Sequence, residues 1–372
     1  MRILILQPGI GSYRVDFFNQ LAAQAELKVV YYLEDSSGQV FLDSVTDRLQ
    51  NCHLEKMSGG LMLGESPINF QLFQIIRQWQ PDVVVSHEYR PMTLLLAWYR
   101  RLLHPRWKLF IWSSDSAEMV INCRSLRRIA RDFLCRMADG VMVYSADVAG
   151  LYAEKVKIPA DKLVVCTNVQ SSARLRREAA VAIELSEQYR RKYQLQGKKV
   201  FLFVGRLSAV KNLPCLFRAF KMADLPDAVL AAVGSGELEE ELRKLINDLG
   251  MAERIILPGR AENLALSAWY QTADVLTLVS FSETFGAVVN EALAVGLPVI
   301  LTERAGAKVL LNEATQGELV NPADEAQITA AIRRQCAQIK PHGNALRPDL
   351  MPWDLPQFVN GFLNFAEEKC RK

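Results

Sequence analysis

The feature that most constrains the fold is a regular alternation of short apolar runs with amphipathic helical stretches. In the first half of the chain the apolar runs are RILIL (2–6), KVVYYL (28–33), DVVVS (82–86), KLFIW (108–112), GVMVYS (140–145) and KLVVC (162–166). The alternation restarts with VFLFVG (200–205), AVLAAVG (228–234), RIILPG (254–259), DVLTLV (274–279) and PVILT (298–302). Continuous apolar strands separated by helices indicate parallel sheets that are covered on both faces.

The two series of strands predict an α/β chain of two Rossmann-like, doubly wound domains that face each other across a cleft. A length of 372 residues suits two such domains. We place the N-terminal domain at 1–185, a charged helical linker at 186–199 and the C-terminal domain at 200–353. The amphipathic tail, 354–372, is predicted to be a helix that packs back on the first domain. Ligands of open α/β sheets bind beyond the carboxyl ends of the strands, so the loops that follow the strands are the candidate sites.

Composition narrows the class of protein. Forty-four basic and 41 acidic side chains give a net charge of +3, too mild to indicate general nucleic-acid binding. No apolar run reaches 18 residues, so no membrane-spanning helix is predicted. Seven scattered cysteines without a CxxC pair favour reduced thiols in a cytoplasmic protein. The four histidines have no ligand spacing, and we therefore expect neither a bound metal nor another cofactor.

The stretch SETFGAVVNEALAVGLP (282–298) places two carboxylates on either side of a predicted helix start. Glu283 falls in the loop after a strand, Gly286 at the helix N-terminus, and Glu291 about a turn and a half into the helix. Carboxylates accept hydrogen bonds from sugar hydroxyls, and amides at a helix N-terminus favour a phosphate. The spacing fits an extended nucleotide sugar. It is equally compatible with two ordinary solvated carboxylates.

Two further loops follow strands of the second half. In VGRLSAVKN (204–212), Arg206 and Lys211 are suited to neutralise a diphosphate and stabilise it as a leaving group, although they also fit a pair of surface cations. In VGSGELEEEL (233–242), the glycine-rich turn either brings its backbone close to a nucleotide or serves only as a tight chain reversal.

The N-terminal QPGIGSYR (7–14) contains part of a dinucleotide fingerprint, with Gly9 and Gly11 after a strand. Arg14 stands where the third glycine belongs, and Glu34 does not end the second strand cleanly. An NAD-dependent oxidoreductase is therefore disfavoured. The other interpretation is that the glycines let the backbone approach a ligand, with Tyr13 and Arg14 facing an acceptor.

As an ordered set, the motifs of the second half resemble glycosyltransferase family 4, a family of retaining, metal-independent enzymes with the GT-B fold. The resemblance is specific over roughly 196–335 and depends on VGRL…K (204–211), VGSGELEEEL (233–242), ILPGR (256–260), SFSETFGAVVNEALAVGLPVI (280–300) and GELVNPAD (317–324). In the first domain only QPGIGSYRVDFF and the order of strands and helices fit it loosely.

The resemblance implies a role for each matching residue. Glu283 contacts hydroxyls of the donor sugar, Glu291 holds the ribose, and Arg206 and Lys211 bind the diphosphate. A phosphate oxygen of the donor takes the acceptor proton, so no protein base is required, and stabilisation of the oxocarbenium-like transition state is mostly electrostatic. The remaining donor-binding positions that the resemblance implies are Gly205, Gly234, Arg260, Thr284, Phe285 and Gly286.

Two stretches depart from the family pattern. Many members carry a histidine near the transferred sugar after a late strand of the first domain, whereas IWSSDSAE (111–118) has none. We consider His87, at the end of the preceding strand, as a substitute and Ser114 and Asp115 as lining residues. The stretch LTERAGAKVLL (301–311) lacks the acidic residue expected after its small residues.

The first domain also carries a basic, aromatic-rich segment. Its cations are Arg90, Arg100, Arg101, Arg106, Lys108, Arg124, Arg127, Arg128, Arg131 and Arg136. The interleaved aromatic residues are Trp98, Tyr99, Trp107 and Trp112. We hypothesise that this segment docks on an anionic membrane surface and takes a lipid-linked acceptor. The alternative is a solvated cationic helix face.

The predicted function is transfer of a hexose from a UDP- or GDP-sugar to a hydroxyl of a glycan or lipid-linked acceptor, in cell-surface polysaccharide biosynthesis. The predicted location is the cytoplasm, peripherally on the inner face of the membrane. The alternatives are a catalytically silent GT-B protein that binds a nucleotide sugar, and a nucleotide-sugar epimerase. A GT-A transferase is disfavoured because the chain has no DxD motif.

Overall fold

The computed structural model describes residues 1–32, 35–36, 39–40, 43–63, 66–103, 105–123, 125–339 and 345–371. Glu34, near the end of the second predicted strand, and Arg124, in the basic segment, lie outside the described residues. The chain forms two compact units, unit 1 from Met1–Gln170 with Leu355–Lys372 and unit 2 from Ser171–Asp354.

The strands follow the apolar runs of the sequence. In unit 1 they are β1 Arg2–Gln7, β2 Glu26–Tyr31, β3 Asp35–Ser36, β4 Gln39–Val40, β5 Cys52–Lys56, β6 Leu61–Leu63, β7 Ser66–Ile68, β8 Val83–His87, β9 Lys108–Trp112, β10 Gly140–Val143 and β11 Leu163–Val165. In unit 2 they are β12 Lys199–Val204, β13 Ala228–Val233, β14 Ile255–Gly259, β15 Val275–Leu278, β16 Val299–Thr302 and β17 Gly317–Val320.

Helices connect these strands. They are α1 Val15–Ala22, α2 Asp43–Thr46, α3 Gln71–Trp79, α4 Pro91–Leu103, α5 Ala117–Ile121, α6 Ser125–Met137, α7 Ala146–Leu151, α8 Ser172–Val181, α9 Ile183–Lys192, α10 Leu213–Ala223, α11 Glu239–Asp248, α12 Asn263–Thr272, α13 Ala287–Ala294, α14 Glu325–Gln338 and α15 Leu355–Arg371. Within the described residues, none of them is long and apolar enough to cross a bilayer.

Each unit is a doubly wound parallel sheet, which confirms the predicted fold class. The strand order is β11-β10-β9-β8-β1-β2-β5 in unit 1 and β14-β13-β12-β15-β16-β17 in unit 2. The direction of winding therefore reverses between β1 and β8 in the first sheet and between β12 and β15 in the second. Ligands of such sheets bind in the crevice at these switch points.

Burial explains why the strands are apolar throughout. Every residue of β13 is buried, because helices cover both faces of the sheet. In unit 1 the side chains alternate between two packed faces, and Trp112 lies on the face covered by α1 and α15. The ring of Phe17 in α1 lies between those of Trp112 and Phe362, with centroid distances of 5.1 Å to Trp112 and 6.3 Å to Phe362. The C-terminal helix is thus part of the core of unit 1.

The structure divides the chain at residue 170, earlier than the domain end and linker proposed from the sequence. Helices α8 and α9 pack against α12 and belong to unit 2. The ring of Trp269 lies 4.9 Å from that of Tyr189 and 5.2 Å from that of Tyr193. These aromatic contacts bury the apolar side of a stretch whose charge suggested a linker.

Candidate active site

In unit 2 the loops after β12 and β15 bring two predicted residues together at the switch point. Lys211 ends a 3₁₀ turn, Ala209–Lys211, and its Nζ donates to Oε2 of Glu283 in the loop after β15. The two side chains are 18% and 15% exposed, so the ion pair is largely shielded yet reachable from solvent. One edge of the sheet thus presents a cation and a carboxylate side by side.

Asn212, which the sequence did not single out, holds the loops around this ion pair. Its backbone is left-handed, with φ of 57°, and its buried amide donates to the carbonyls of Val279 at 3.2 Å and Pro322 at 2.7 Å. The amide of Phe281 also donates to the carbonyl of Val210 at 2.8 Å. An asparagine directly before a helix that starts Leu-Pro was the available sequence signal, since asparagine tolerates this conformation.

Gly286 lets helix α13 begin next to Glu283. Its φ is +94°, and a Cβ at this position would lie 3.3 Å from Cγ of Glu283 and 3.2 Å from Cδ2 of Leu278. The buried side chain of Phe285 and its carbonyl, which accepts from the amide of Ala307 at 2.8 Å, both hold the loop in place. Thr284 is exposed. The start of α13 therefore lies beside the Lys211–Glu283 pair, with its amides suited to an anion.

Glu291 lies in the second turn of α13, where Tyr270 of α12 positions it. The Tyr270 hydroxyl donates to Oε2 of Glu291 at 2.7 Å. Burial raises the pKa of Tyr270 well above its usual value, and the charge of Glu291 raises it further, so the hydroxyl stays protonated. Sequence reasoning did not identify Tyr270, because nothing local links it to a glutamate 21 residues away.

The glycine-rich turns after β12 and β13 touch each other. A Cβ on Gly234 would lie 1.8 Å from the carbonyl oxygen of Gly205, so this approach requires a glycine. Arg206 is exposed in the loop after β12. Arg260 is exposed after β14, two strands from β12, and forms an ion pair with Glu262. The structure thus places these predicted residues in loops on the same edge of the sheet, after β12, β13 and β14.

In unit 1 the predicted acceptor-side residues also meet at a switch point. Gly9 and Gly11 are buried in the loop after β1, and the half-buried Tyr13 follows them. Arg14 is buried, its guanidinium lies 3.8 Å from the ring centroid of Trp112, and its Nη2 donates to the Tyr144 hydroxyl at 2.7 Å.

His87 ends β8 beside this arginine. Burial lowers the pKa of His87 well below its usual value, and the positive charges of Arg14 and Arg90 lower it further. The imidazole is therefore neutral at pH 7 and is suited to hydrogen bonding rather than to carrying charge.

Ser114 and Asp115, the proposed pocket-lining residues, take part in a hydrogen-bonded network with Glu88 and Arg127. The fully buried carboxylate of Asp115 accepts from Arg127 at 2.6 Å and from Tyr152 at 2.7 Å. Glu88 accepts from Arg127 at 2.9 Å and from the backbone amide of Ser114 at 2.7 Å. These pairs compensate the buried charges, and contact of Ser114 or Asp115 with the sugar stays a prediction.

Two family models match consecutive parts of the chain. The model described as "Glycosyl transferase 4-like domain" matches residues 9–168, and the one described as "Glycosyl transferases group 1" matches residues 186–338. A D-inositol 3-phosphate glycosyltransferase of Catenulispora acidiphila is 36% identical over 145 residues, which are 36% of this chain and 35% of that protein. The chain spans between 26% and 58% of the length of the curated relatives it matches.

Solved structures resemble the whole chain in fold. The Anabaena protein HepE in complex with UDP matches with a TM-score of 0.70 and 16% identity, over 99% of this chain and 95% of that one. The lipopolysaccharide outer core galactosyltransferase WaaB matches with a TM-score of 0.70 and 16% identity, over 99% of this chain and 100% of that one.

Proposed function

The chain belongs to the family 4 glycosyltransferases of the GT-B fold, and we propose that it is a metal-independent retaining hexosyltransferase. The donor is a UDP- or GDP-sugar, and the acceptor is a hydroxyl of a glycan or lipid-linked precursor of a cell-surface polysaccharide. The observation that carries the proposal is the Lys211–Glu283 pair beside Gly286, at the switch point of unit 2. The complex of HepE with UDP and the lipopolysaccharide activity of WaaB support the donor and acceptor classes.

The Lys211–Glu283 pair and the start of α13 bind different parts of the donor. Lys211 and the amides at the start of α13 take the diphosphate, while Glu283 accepts from hydroxyls of the sugar. At an effective dielectric constant near 20, one cation 4 Å from a phosphate oxygen contributes roughly 4 kcal/mol before desolvation. The charge grows as the glycosidic bond breaks, so this contact stabilises the transition state more than the bound donor. Arg206, exposed after β12, supplies a second cation.

The nucleoside end of the donor is assigned to Glu291. Its carboxylate accepts from the ribose hydroxyls, and Tyr270 holds it in place for that contact. The acceptor hydroxyl attacks from the face that the leaving diphosphate vacates, and a phosphate oxygen takes its proton. No protein base is required, which is consistent with the lowered pKa of His87, because burial and two nearby guanidinium groups make its imidazole a weak proton acceptor.

Two variants test the donor site. Glu283→Ala should abolish sugar transfer while UDP or GDP still binds, and Glu291→Ala should mainly weaken nucleotide binding. The matched control is Glu240→Ala, on the exposed side of α11. Turnover is measured with a panel of nucleoside diphosphate sugars, with and without EDTA, and calorimetry gives the nucleotide affinity.

Wild-type rates in both variants would refute the assignment of the donor site, and a loss of rate in EDTA would refute metal independence. Nucleotide binding without any release of sugar would favour a catalytically silent protein.

We also propose that unit 1 docks on an anionic membrane, through a smaller surface than the sequence indicated. Trp107 and Trp112 are buried, and Arg100 and Arg127 are paired with carboxylates. The proposed surface is the exposed face of α4 and α6, where Trp98 contacts Phe133 with ring centroids 6.2 Å apart. Its exposed apolar residues are Trp98, Leu102, Leu103, Leu126, Ile129 and Phe133. Its exposed cations are Arg101, Arg106, Arg128 and Arg136.

An apolar stripe flanked by arginines fits the interface of an anionic bilayer, where apolar side chains enter the headgroup region and cations pair with lipid charge. Ile129 is 63% exposed on α6, and Leu264, 43% exposed on α12 of unit 2, provides a matched control. Ile129→Ser should reduce flotation with vesicles containing phosphatidylglycerol, whereas Leu264→Ser should not. Equal recovery of the wild type with anionic and neutral vesicles at low salt would refute membrane docking.

A further inference from the structure

Three polar side chains stand in a row at the carboxyl edge of unit 1. Leu6 of β1 pairs with Ser86 of β8, so the next residues, Gln7 and His87, are also neighbours. His87 in turn pairs with Trp112 of β9. Residues in register across a parallel sheet point to the same face, so these side chains share one side of the switch point between β1 and β8.

Arg14 completes this cluster from the loop after β1. Its guanidinium lies over the Trp112 ring, with Cζ 3.8 Å from the ring centroid. Arg90, in the loop after β8, brings a second guanidinium close enough to His87 to act on it electrostatically. We call Gln7, Arg14, His87, Arg90 and Trp112 the β1–β8 site.

The β1–β8 site offers buried hydrogen-bond donors that the protein does not use. Gln7, Arg14 and Trp112 are 3%, 3% and 2% exposed. Among the described residues, Nε2 of Gln7, Nη1 of Arg14, Nε1 of Trp112 and Nδ1 of His87 have no hydrogen-bond partner. The first three of these atoms are donors only, and His87 can also donate. Buried donors without acceptors are unfavourable, and they are usually retained where a ligand provides the acceptor.

The charge of the β1–β8 site points to the kind of ligand. In the described part of the chain, Arg14 makes no ion pair with a carboxylate; its guanidinium contacts the rings of Tyr13, Trp112 and Tyr144 and donates to the Tyr144 hydroxyl. The nearby carboxylates of Glu88 and Asp115 are both engaged by Arg127. A neutral hydroxyl would need an acceptor as well as donors, whereas an oxyanion needs donors and positive charge only.

We propose that the β1–β8 site binds an oxyanion carried by the acceptor, either a phosphate or a carboxylate group. This rests on the proposed function, because it names the acceptor class of the same enzyme. The site would make an anionic sugar or a phosphate-bearing precursor a better acceptor than a neutral sugar. Trp112 supports the guanidinium of Arg14 through its ring and adds one neutral donor, while Gln7 and His87 complete the hydrogen bonds.

The first test is binding of inorganic phosphate by calorimetry, with and without saturating UDP or GDP. We expect saturable binding that the nucleotide does not displace. Loss of one charge-assisted donor pair in Arg14→Gln should weaken phosphate binding by about 10- to 100-fold. Arg77→Gln, an exposed arginine on α3 of the same unit, is the matched control and should leave binding unchanged. Nucleotide affinity reports whether each variant is folded. Arg90→Gln, at a half-buried position, is the second variant if Arg14→Gln does not fold.

The second test compares glucose 6-phosphate, glucuronate and glucose as competitors for the bound phosphate. Competition by glucose 6-phosphate alone assigns a phosphate, competition by glucuronate alone assigns a carboxylate, and competition by both assigns a general oxyanion site.

Three results would overturn the inference: no phosphate binding, equal affinity in Arg14→Gln, or displacement of phosphate by the nucleotide, which would mean that the ion occupies the place of the donor diphosphate. If UDP-sugars are hydrolysed while phosphate does not bind, the inference fails and the proposed function stands. If no nucleotide binds at all, the proposed function fails instead.

Discussion

Removing the Tyr270 hydroxyl tests whether Glu291 is a positioned ligand for the nucleotide. The hydroxyl donates to Oε2 of Glu291 at 2.7 Å, and the ring is almost fully buried. Tyr270→Phe keeps the ring and deletes only this donor, so no cavity of consequence forms. The variant should therefore isolate the hydrogen bond from the packing around it.

The structure sets the size of the two expected effects. A hydrogen bond to a charged group contributes about 1.5–3 kcal/mol, and we expect the lower end because Glu291 is half-exposed and water can replace the donor. For a unit of this size that is a fall in Tm of about 3–6 °C. Without the tyrosine, the nucleotide must order Glu291 itself, at about 0.5–1.5 kcal/mol. The Kd for UDP or GDP should then rise by about 2- to 13-fold.

Thermal unfolding and calorimetry measure these effects, and Tyr193→Phe is the matched control. Tyr193 lies in the same unit and packs on Trp269 through its ring, so it loses a hydroxyl without losing that contact. A double-mutant cycle with Glu291→Gln separates direct from indirect effects, because coupled residues deviate from additivity. If Tyr270→Phe binds the nucleotide like the wild type, or if the two substitutions add independently, Glu291 is not held for this purpose and the assignment of the nucleoside end is wrong.

Three further substitutions probe the supporting structure. Arg127→Leu leaves the buried carboxylates of Asp115 and Glu88 without their cation and should cost about 3–5 kcal/mol in urea denaturation; a loss under 1 kcal/mol would contradict the network. His87→Gln tests the lowered pKa of the imidazole: because the unfolded chain takes up a proton that the folded one refuses, wild-type stability should fall by about 1 kcal/mol more than that of the variant between pH 6.5 and 5.5. Parallel stability curves for the two proteins would refute it. Asn212→Ala removes two buried hydrogen bonds and should lower stability by about 2–3 kcal/mol and slow sugar transfer; unchanged kcat would mean that the loops need no such tie.

The fold was largely predictable because its strands are buried on both faces. A run such as β13, apolar at all six positions, has few alternatives once helices flank it. Strand β5, CHLEK, gave no such signal because its residues are mostly exposed at the edge of the sheet. The domain boundary at residue 170 could not be predicted from the local sequence either. It depends on the packing of Trp269 against two tyrosines about 80 residues earlier in the chain.

Residues of the candidate site could be predicted from the sequence only where they lie in a recognisable motif. Glu283 and Lys211 were named from their loops, but their ion pair depends on two distant strands that become neighbours in the sheet. At Asp115 and Trp112 the sequence pattern is ambiguous. A polar residue after a strand looks the same in sequence whether it lines a pocket or is paired in the core, and an interleaved tryptophan looks the same whether it faces a membrane or a buried arginine.

The two switch points differ in a way that matters for binding. In unit 2 the cation of Lys211 is already paired with Glu283, so a diphosphate must replace or share an existing partner. In unit 1, Nη1 of Arg14, Nε2 of Gln7 and Nε1 of Trp112 have no partner among the described residues, so an oxyanion gives up nothing but its water there. Exchanging one hydrogen-bond partner for another changes the free energy little, whereas supplying an acceptor to buried donors that lack one is favourable. If the proposed function is correct, this exchange favours turnover at the donor site, because release of the diphosphate restores the ion pair. The proposed oxyanion site would instead select among acceptors, because an acceptor without negative charge leaves its donors unsatisfied.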